Sequence, residues 1–399
     1  MKAHRCFVKA VRTIMLVVCA AALSQHAAGE PGGTGMWGAN VDIAQLLPGD
    51  PLQLSTDIGD AFRLARLAGL NTLRVTSFAE WAPGQRGTSY GSSDWRKVGE
   101  QARRSGITIV PVIGLSRAEL SQVDAVQDPR ARARVRTEAY RDKVERVLDG
   151  LVPAGCKIVI DLDNERELDA DRLAQFRTLA AFVRARYPGV LITVGGWKRK
   201  RADPDASQAA YVANYPDDGA PLADIVDIVS VHLYDEALAD HRTYGLYARS
   251  ADRVPAAVVA YLQRVRTWAK GKPILISEFG APNGVLPTRY RRDRGRIDPA
   301  VQDDTVRGVL QGIMQARARR MNVAGALVWI LVPRGGEAAL HDESNEWSLA
   351  VPGRDSRTLE IFPAMWAFCR MGVVPSSSCS QDFPFEVRLR TADPQRLPN

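Results

Sequence analysis

The chain has 399 residues, of which 46% are hydrophobic, and its 53 Lys or Arg against 45 Asp or Glu give a formal net charge of +8 at pH 7. This hydrophobic content is ample for a large core. The length exceeds that of an average domain but is normal for an α/β barrel. A charge excess this small gives no reason to expect nucleic acid or a charged membrane surface as a partner.

The N-terminal segment, residues 1–29, is predicted to be a secretory signal peptide. Basic residues precede a short apolar core at Ile14–Leu23, and Ala27-Ala28-Gly29 supply small side chains for cleavage. The apolar core is too short to span a membrane comfortably, and Val18 is bulky where a lipoprotein signal needs a small residue. Cleavage would remove four basic and no acidic residues and leave a net charge of +4. We therefore expect a secreted or periplasmic protein with no stable membrane insertion, and separately we expect a monomer.

Eight apolar runs predict eight strands. Most of them are nearly continuous rather than alternating, as expected for parallel strands that are buried on both faces. In chain order they are Met36–Asn40, Thr72–Thr76, Ile107–Ile113, Lys157–Leu162, Val190–Gly195, Ile225–His232, Pro273–Glu278 and Gly325–Leu331.

Amphipathic segments lie between these runs and predict helices, because their apolar residues recur at three- and four-residue spacing. They are Ile58–Ala68, Asp94–Arg104, Pro129–Leu148, Asp171–Arg186, Ser207–Ala213, Pro255–Ala269, Asp303–Ala318 and Pro363–Met371. Eight β-then-α units predict a single (β/α)₈ TIM barrel over residues 30–373. A doubly wound open sheet is the alternative, but no Gly-x-Gly-x-x-Gly turn follows the first strand.

Three cysteines remain after cleavage of the leader, and no Cys–His spacing indicates a metal site, so neither a metal nor another cofactor is expected. Cys369 and Cys379 lie close together near the C-terminus of an exported chain, which predicts a disulfide between them. Cys156 is expected to stay a buried thiol. The Ser- and Pro-rich tail, residues 374–399, is expected to pack on the barrel.

Two of the predicted strands lead into a glutamate, Glu165 after strand four and Glu278 at the end of strand seven. A buried strand rarely finishes on a carboxylate unless that carboxylate has a function. In a barrel the carboxyl ends of the strands form the active face, so the two side chains can approach one ligand from opposite sides of the mouth. A pair of carboxyl groups is the usual equipment for cleaving a glycosidic bond.

Further polar and aromatic residues recur at the strand ends. They are Asn40 on strand one, Arg74 on strand two, Asn164 beside Glu165, His232 and Tyr234 at strand six, and Trp329 on strand eight. This ordered set resembles the retaining glycoside hydrolase superfamily with catalytic glutamates on strands four and seven (clan A), nearest to the cellulase/mannanase-like glycoside hydrolase family 5. The resemblance spans roughly residues 37–370. It departs from family 5 at strand three, which lacks the usual histidine.

The resemblance implies a role for each matching residue. Glu165 would be the general acid and then the base, and Glu278 the nucleophile that forms a glycosyl-enzyme. Asn164 would hydrogen-bond the sugar 2-hydroxyl. The acid needs a raised pKa, which the charge of the other carboxylate would supply.

The remaining matches would line the substrate site. Arg74 and Tyr234 would hold the nucleophile ionised and aimed, and Asn40 would be a further substrate-binding residue. Trp329 is either a platform under the sugar or a core residue. His232 is either a satisfied core histidine or a substrate contact. Asp163 either orients a neighbour or caps a turn.

Three more indoles, Trp81, Trp197 and Trp347, follow strands two, five and eight and either stack on sugar faces or pack in loops. The basic run Lys198–Arg201 follows strand five and is either solvated or a subsite for an anionic polysaccharide. We expect a secreted retaining β-glycoside hydrolase acting on a β-linked polysaccharide of the glucan or mannan type. An inactive glycan-binding protein on the same scaffold and a transglycosylase are the alternatives.

Overall fold

A computed structural model describes residues 35–48, 61–77, 90–200, 211–213, 216–234, 253–281, 283, 299–332, 347–352, 359–374 and 387–389. Side chains are not described at 199–200, 211–213, 351–352, 359–360 and 387–389. The predicted signal peptide, Trp81 and Cys379 lie outside the described residues. The signal peptide and the Cys369–Cys379 disulfide therefore stay predictions.

Eight parallel strands form the barrel. They are β1 (Met36–Asp42), β2 (Thr72–Thr76), β3 (Thr108–Pro111), β4 (Val159–Glu167), β5 (Leu191–Lys200), β7 (Val229–Leu233), β8 (Ile274–Phe279) and β9 (Val323–Val328), while β6 (Tyr211–Ala213) lies beside the ring. They pair in the order β3-β2-β1-β9-β8-β7-β5-β4, and parallel bridges Ile109–Ile158 and Val112–Asp161 join β3 to β4. The predicted (β/α)₈ fold is confirmed, with predicted strands six, seven and eight being β7, β8 and β9.

Helices alternate with the strands. They are α1 (Ala61–Leu67), α2 (Ser92–Ser105), α3 (Arg117–Asp124), α4 (Pro129–Ala154), α5 (Ala170–Arg186), α6 (Val254–Trp268), α7 (Pro299–Ala318) and α8 (Ala367–Arg370). The longest, α4, begins where the Asp128 carboxylate accepts from the Ala131 N–H and ends at Gly155, whose φ of 72° suits a residue without Cβ. The last predicted helix is a 3₁₀ turn, Pro363–Trp366, followed by α8.

The predicted fifth helix, Ser207–Ala213, is wrong over its described residues. Tyr211–Ala213 forms β6, which pairs antiparallel with the end of β5 in the register Lys198–Ala213, Arg199–Val212 and Lys200–Tyr211. A 3₁₀ segment, Pro216–Asp224, follows. The basic run Lys198–Lys200 therefore continues a strand instead of starting a loop. Pairing between distant segments has overridden a weak local helical pattern.

The core has two parts. A small cluster contains one residue from each of five segments around the ring, and such residues can meet only inside the barrel: Val110, Val159, Ile228, Leu275 and Leu327. The larger cluster packs the buried faces of the helices against the outside of the strands. Because apolar side chains cover both faces of the strands, the polar groups lie together at the C-terminal ends of the strands.

The C-terminal region adds a second sheet. It contains β10 (Ala350–Pro352), β11 (Leu359–Ile361) and β12 (Val387–Leu389), with β11 between the other two. The predicted tail thus supplies one strand to this sheet through parallel pairing of β12 with β11. Of the helices in the described part of the chain, none is both long enough and apolar enough to cross a membrane.

Candidate active site

The two predicted glutamates meet at the carboxyl end of the barrel. A carboxylate oxygen of Glu165, a carboxylate oxygen of Glu278 and a ring nitrogen of His232 all lie within 4.8 Å of one another. Glu278 is on β8 and is buried, whereas Glu165 is near the end of β4 and is partly exposed. Both groups can therefore act on one bound molecule.

A bulge in β4 turns Glu165 toward the mouth. Between β4 and β5 the register advances from Asp161–Thr193 to Asn164–Gly195, so β4 contains one extra residue. Glu165 itself has a φ of 49°, in the left-handed region that is costly for a residue with a Cβ. Glu165, whose side chain faces the site, is thus one of three non-glycine residues with a positive φ in the described part of the chain, beside Lys270 and Arg320.

Asp163 stabilises this bulge in β4 through hydrogen bonds. One of its oxygens accepts from the backbone N–H of Asn164 at 2.9 Å and from Arg166 Nε at 3.0 Å, and the other accepts from the hydroxyl of Tyr140 at 2.6 Å. Of the two roles left open by the sequence, Asp163 therefore orients its neighbours. Burial, together with the adjacent Asp163 carboxylate, raises the pKa of Tyr140, which keeps its proton in that hydrogen bond.

Arg74, on β2, is the central cation of the site and is fully buried. Its guanidinium donates to four side chains: Asp161 at 2.8 Å, Asn40 at 2.9 Å, Glu278 at 2.6 Å and Asn164 at 2.5 Å. Burial acts against its charge, but the carboxylates of Asp161 and Glu278 outweigh that effect and raise the pKa of Arg74. Arg74 therefore stays charged and couples the nucleophile candidate to Asn164.

Asn40 was expected to line the substrate site and Arg74 to hold Glu278, and the hydrogen bond from Arg74 to Glu278 agrees with the second expectation. Both are fully buried. The Asn40 side-chain amide donates to the carbonyl oxygens of Ser277 at 2.9 Å and Val328 at 3.2 Å, while its own oxygen accepts from Arg74. A buried amide with these partners fixes the guanidinium, so the two residues act on Glu278 and not on a ligand.

Asp161 and Gly195 complete the cradle of Arg74, and neither was singled out from sequence. Asp161 accepts from the backbone N–H of Gly195 at 2.6 Å as well as from Arg74. A Cβ on Gly195 would lie 2.4 Å from a guanidinium nitrogen of Arg74 and 2.5 Å from a carboxylate oxygen of Asp161. Only glycine therefore fits at position 195. The one sign of this cradle in the sequence was Asp161, an aspartate in the middle of an apolar strand.

Both oxygens of Glu278 are hydrogen-bonded. One accepts from Arg74, and the other accepts from the Tyr234 hydroxyl at 2.9 Å, with His232 Nδ1 at 3.5 Å. The Tyr234 ring is in turn held edge-to-face against Trp347, with centroids 5.4 Å apart. These contacts hold the Glu278 carboxylate in a fixed orientation.

Glu165 has a different environment, and one that the sequence did not predict. Its oxygens lie 2.9 Å from His232 Nδ1 and 2.8 Å from Lys198 Nζ. Burial raises the pKa of Glu165, but the hydrogen bonds and charges of His232 and Lys198 outweigh burial and lower it to about 2. The expected raised pKa is therefore wrong for this state of the protein. His232 is a fully buried histidine whose side chain contacts Glu165.

Trp197 does not reach the site. It is fully buried and packs edge-to-face against Trp268, with centroids 5.8 Å apart. Successive side chains on a strand point to opposite faces. Trp197 therefore points into the core, whereas the next residue, Lys198, points to the mouth of the barrel. The prediction that Trp197 contacts substrate is wrong in this structure.

Two other indoles lie near the mouth. Trp329 follows β9 and is partly exposed, and its backbone N–H donates to the carbonyl oxygen of Phe279 at 2.7 Å. Trp347 is also partly exposed and lies against Tyr234. Each keeps some accessible ring surface for stacking.

The three groups Glu165, His232 and Glu278 have the geometry of a potential metal site. Their charge environment disfavours that role, because Lys198 is within 2.8 Å of Glu165 and Arg74 within 2.6 Å of Glu278. A divalent cation would have to enter between two positive charges. The arrangement suits proton transfer and carboxylate attack better than metal binding.

Comparison with known proteins shows the fold. No protein-family model matches this sequence, and no curated protein matches it. A glycoside hydrolase family 5 mannosidase from Rhizomucor miehei is 13% identical with a TM-score of 0.56, covering 87% of this chain and 94% of that one. An endo-1,4-β-D-mannanase from Thermotoga petrophila RKU-1 is 14% identical with a TM-score of 0.52, covering 80% and 96%. A β-glucosidase from Thermotoga maritima is 12% identical with a TM-score of 0.55, covering 89% and 100%.

Proposed function

We propose that this protein is a secreted retaining β-glycoside hydrolase that cleaves a β-linked polysaccharide of the glucan or mannan type. The observation that carries this proposal is the close approach of Glu165 and Glu278, with an oxygen of each within 4.8 Å of the other. Retaining enzymes hold their two carboxyl groups about 5–5.5 Å apart, whereas inverting enzymes need about 6.5–9.5 Å to admit a water. The fold shared with a mannanase, a mannosidase and a glucosidase supports the same class.

The resemblance to retaining glycoside hydrolases and the contacts of Glu278 support a division of roles between the two carboxylates. Glu278, held by Arg74 and Tyr234, attacks the anomeric carbon while Glu165 gives its proton to the departing glycosidic oxygen. The C–O bond to the leaving sugar breaks as the bond to Glu278 forms. Glu165, now ionised, takes a proton from water, and the resulting hydroxide releases the sugar from Glu278.

Asn164 is placed to recognise the sugar between the two carboxylates. Its side-chain oxygen accepts from Arg74 at 2.5 Å, which fixes the amide and leaves its nitrogen as a donor. A donor beside the nucleophile can bind the sugar 2-hydroxyl, a contact that strengthens in the transition state. The partly exposed Trp329 and Trp347 offer ring surface for the sugar itself.

One observation favours the alternative of an inactive glycan-binding protein. With its pKa lowered to about 2, Glu165 is ionised at neutral pH and has no proton to give until something in the complex changes. A bound sugar that displaces Lys198 or dehydrates Glu165 would restore the proton, so hydrolysis remains the better reading of the full set of contacts.

Release of reducing ends from β-glucans, mannans, xylans and acidic exopolysaccharides tests the proposal, with Glu165→Ala and Glu278→Ala beside the unaltered protein. Glu167→Gln is the matched control, because Glu167 is on the same strand and exposed. We expect one polymer to be cleaved, the first product to have the β-configuration by NMR, and both Ala variants to lose activity. Binding of a polymer without any cleavage would establish the inactive protein instead.

A further inference from the structure

Lys198 differs from the other cation of the site in its freedom to move. Arg74 is enclosed and holds four side chains, whereas the Lys198 side chain is 36% exposed at the end of β5 and pairs with Glu165 at 2.8 Å. An ammonium on a four-carbon stem has three donors and can exchange partners at little cost. Glu165 is also partly exposed, with 18% of its side chain accessible, so a ligand can reach the pair.

This pair conflicts with the proposed role of Glu165. A general acid has to carry a proton, and a cation at hydrogen-bond distance favours the ionised form. Within the described part of the chain, Glu165 is faced by Lys198 from β5, His232 from β7 and Glu278 from β8. His232 is fully buried and Glu278 is held by Arg74 and Tyr234, so Lys198 is the one of the three that can leave.

We propose that Lys198 binds a carboxylate of the substrate, so that the preferred glycan contains an acidic sugar, a hexuronate, next to the bond that is cleaved. This inference rests on the proposed hydrolysis of a β-linked polysaccharide and replaces the neutral glucan or mannan by a polymer that carries an acidic sugar. In the free protein Glu165 takes the place of that carboxylate. When the substrate carboxylate takes Lys198, Glu165 keeps its contact with His232 but loses the ammonium and gains a negative neighbour, which favours the binding of a proton from solvent. A neutral glycan leaves the Lys198–Glu165 pair intact and reacts more slowly.

Binding of matched sugar pairs tests the recognition step without turnover. The probes are the methyl β-glycosides of glucuronate, galacturonate and mannuronate and of the corresponding neutral hexoses, which differ only at C6. Affinities are measured by NMR titration on Glu278→Gln, and on the same protein with Lys198→Met or Lys198→Arg. We expect at least one uronoside to bind about tenfold more tightly than its neutral partner, as one charge-assisted hydrogen bond allows. Lys198→Met should remove that preference and Lys198→Arg should keep it.

Equal binding within all three pairs would overturn the inference, and so would a preference that persists in Lys198→Met. Circular dichroism of Lys198→Met shows whether the fold is retained, and Lys198→Arg reports on the charge alone. A structural role for Lys198 would weaken the uronoside and the neutral sugar alike.

Turnover separates this inference from the proposed function. Acidic exopolysaccharides and their carboxyl-reduced forms have the same linkages but differ in charge. The ratio of their kcat/KM values therefore measures the effect of the substrate carboxylate alone. We expect the ratio to favour the acidic polymer and to fall about tenfold in Lys198→Met, with the alkaline limb of the pH profile on the reduced polymer moving to higher pH. Cleavage that favours the reduced polymer would overturn the inference while supporting hydrolysis. An absence of cleavage would count against hydrolysis, and the binding measurements would still decide the role of Lys198.

Discussion

Replacing Arg74 by Met should separate the stability of this barrel from its activity. Arg74 and Asp161 form an ion pair at 2.8 Å in which neither side chain is accessible to solvent. Methionine has a similar length and no charge, so Arg74→Met leaves the Asp161 carboxylate buried with only the Gly195 N–H as a partner. Breaking one side of a buried pair costs about 3–5 kcal/mol, because the remaining charge is uncompensated.

The double variant Arg74→Met with Asp161→Asn removes the stranded charge. Replacement of both partners of a buried pair is often close to neutral, so we expect the double variant to recover at least about 2 kcal/mol of the loss. Recovery should be incomplete, since Glu278 also loses a hydrogen bond of 2.6 Å from Arg74. Hydrolysis should fall at least about 100-fold in both variants, because Glu278 has lost the cation that holds it.

Urea unfolding followed by tryptophan fluorescence measures the free energies, and reducing-end release measures activity. Arg184→Met is the matched control, since Arg184 pairs with Asp227 at the same distance of 2.8 Å but with 45% and 31% of the two side chains exposed. We expect it to cost less than about 1 kcal/mol. If the double variant is no more stable than Arg74→Met, the cost does not come from the Asp161 charge and the reasoning fails.

Three further predictions concern single positions. Gly195→Ala places a methyl group 2.4 Å from an Arg74 nitrogen, so it should lower the free energy of unfolding in urea by about 1–3 kcal/mol and should lower kcat. Full activity of this variant would show that the close packing of Gly195 against Arg74 is not needed. Glu165 has a pKa lowered from its usual 4.5 to about 2, so its contribution to stability is complete above pH 4.5 and is lost as pH falls toward 2. On acidification, the unfolding free energy of Glu165→Gln should therefore fall by about 3 kcal/mol less than that of the unaltered protein. The same pH dependence in both proteins would show that folding does not stabilise the ionised form of Glu165. Trp197→Ala should cost about 3–5 kcal/mol with little change in KM, whereas a raised KM at unchanged stability would make Trp197 a binding residue after all.

The sequence was sufficient for the barrel and for the two glutamates because both depend on local pattern. Near-continuous apolar runs are typical of parallel strands covered on both faces, and eight of them alternating with amphipathic segments close into one ring. The carboxyl ends of such strands always meet, so the proximity of Glu165 and Glu278 could be predicted from the sequence. The local pattern was insufficient at Tyr211–Ala213, where pairing with β5 decided the conformation.

Burial and charge partners were decided only by the tertiary structure, because they join residues far apart in the chain. Arg74 is 87 positions from Asp161 and 204 from Glu278, and only their packing inside the ring shows that the cation expected to hold Glu278 also holds Asp161 and Asn164. Trp197 and Lys198 are adjacent in sequence, yet strand alternation puts one in the core and the other beside Glu165. The sequence could name the two carboxylates, but the cations within about 3 Å of each one are brought there only by the fold.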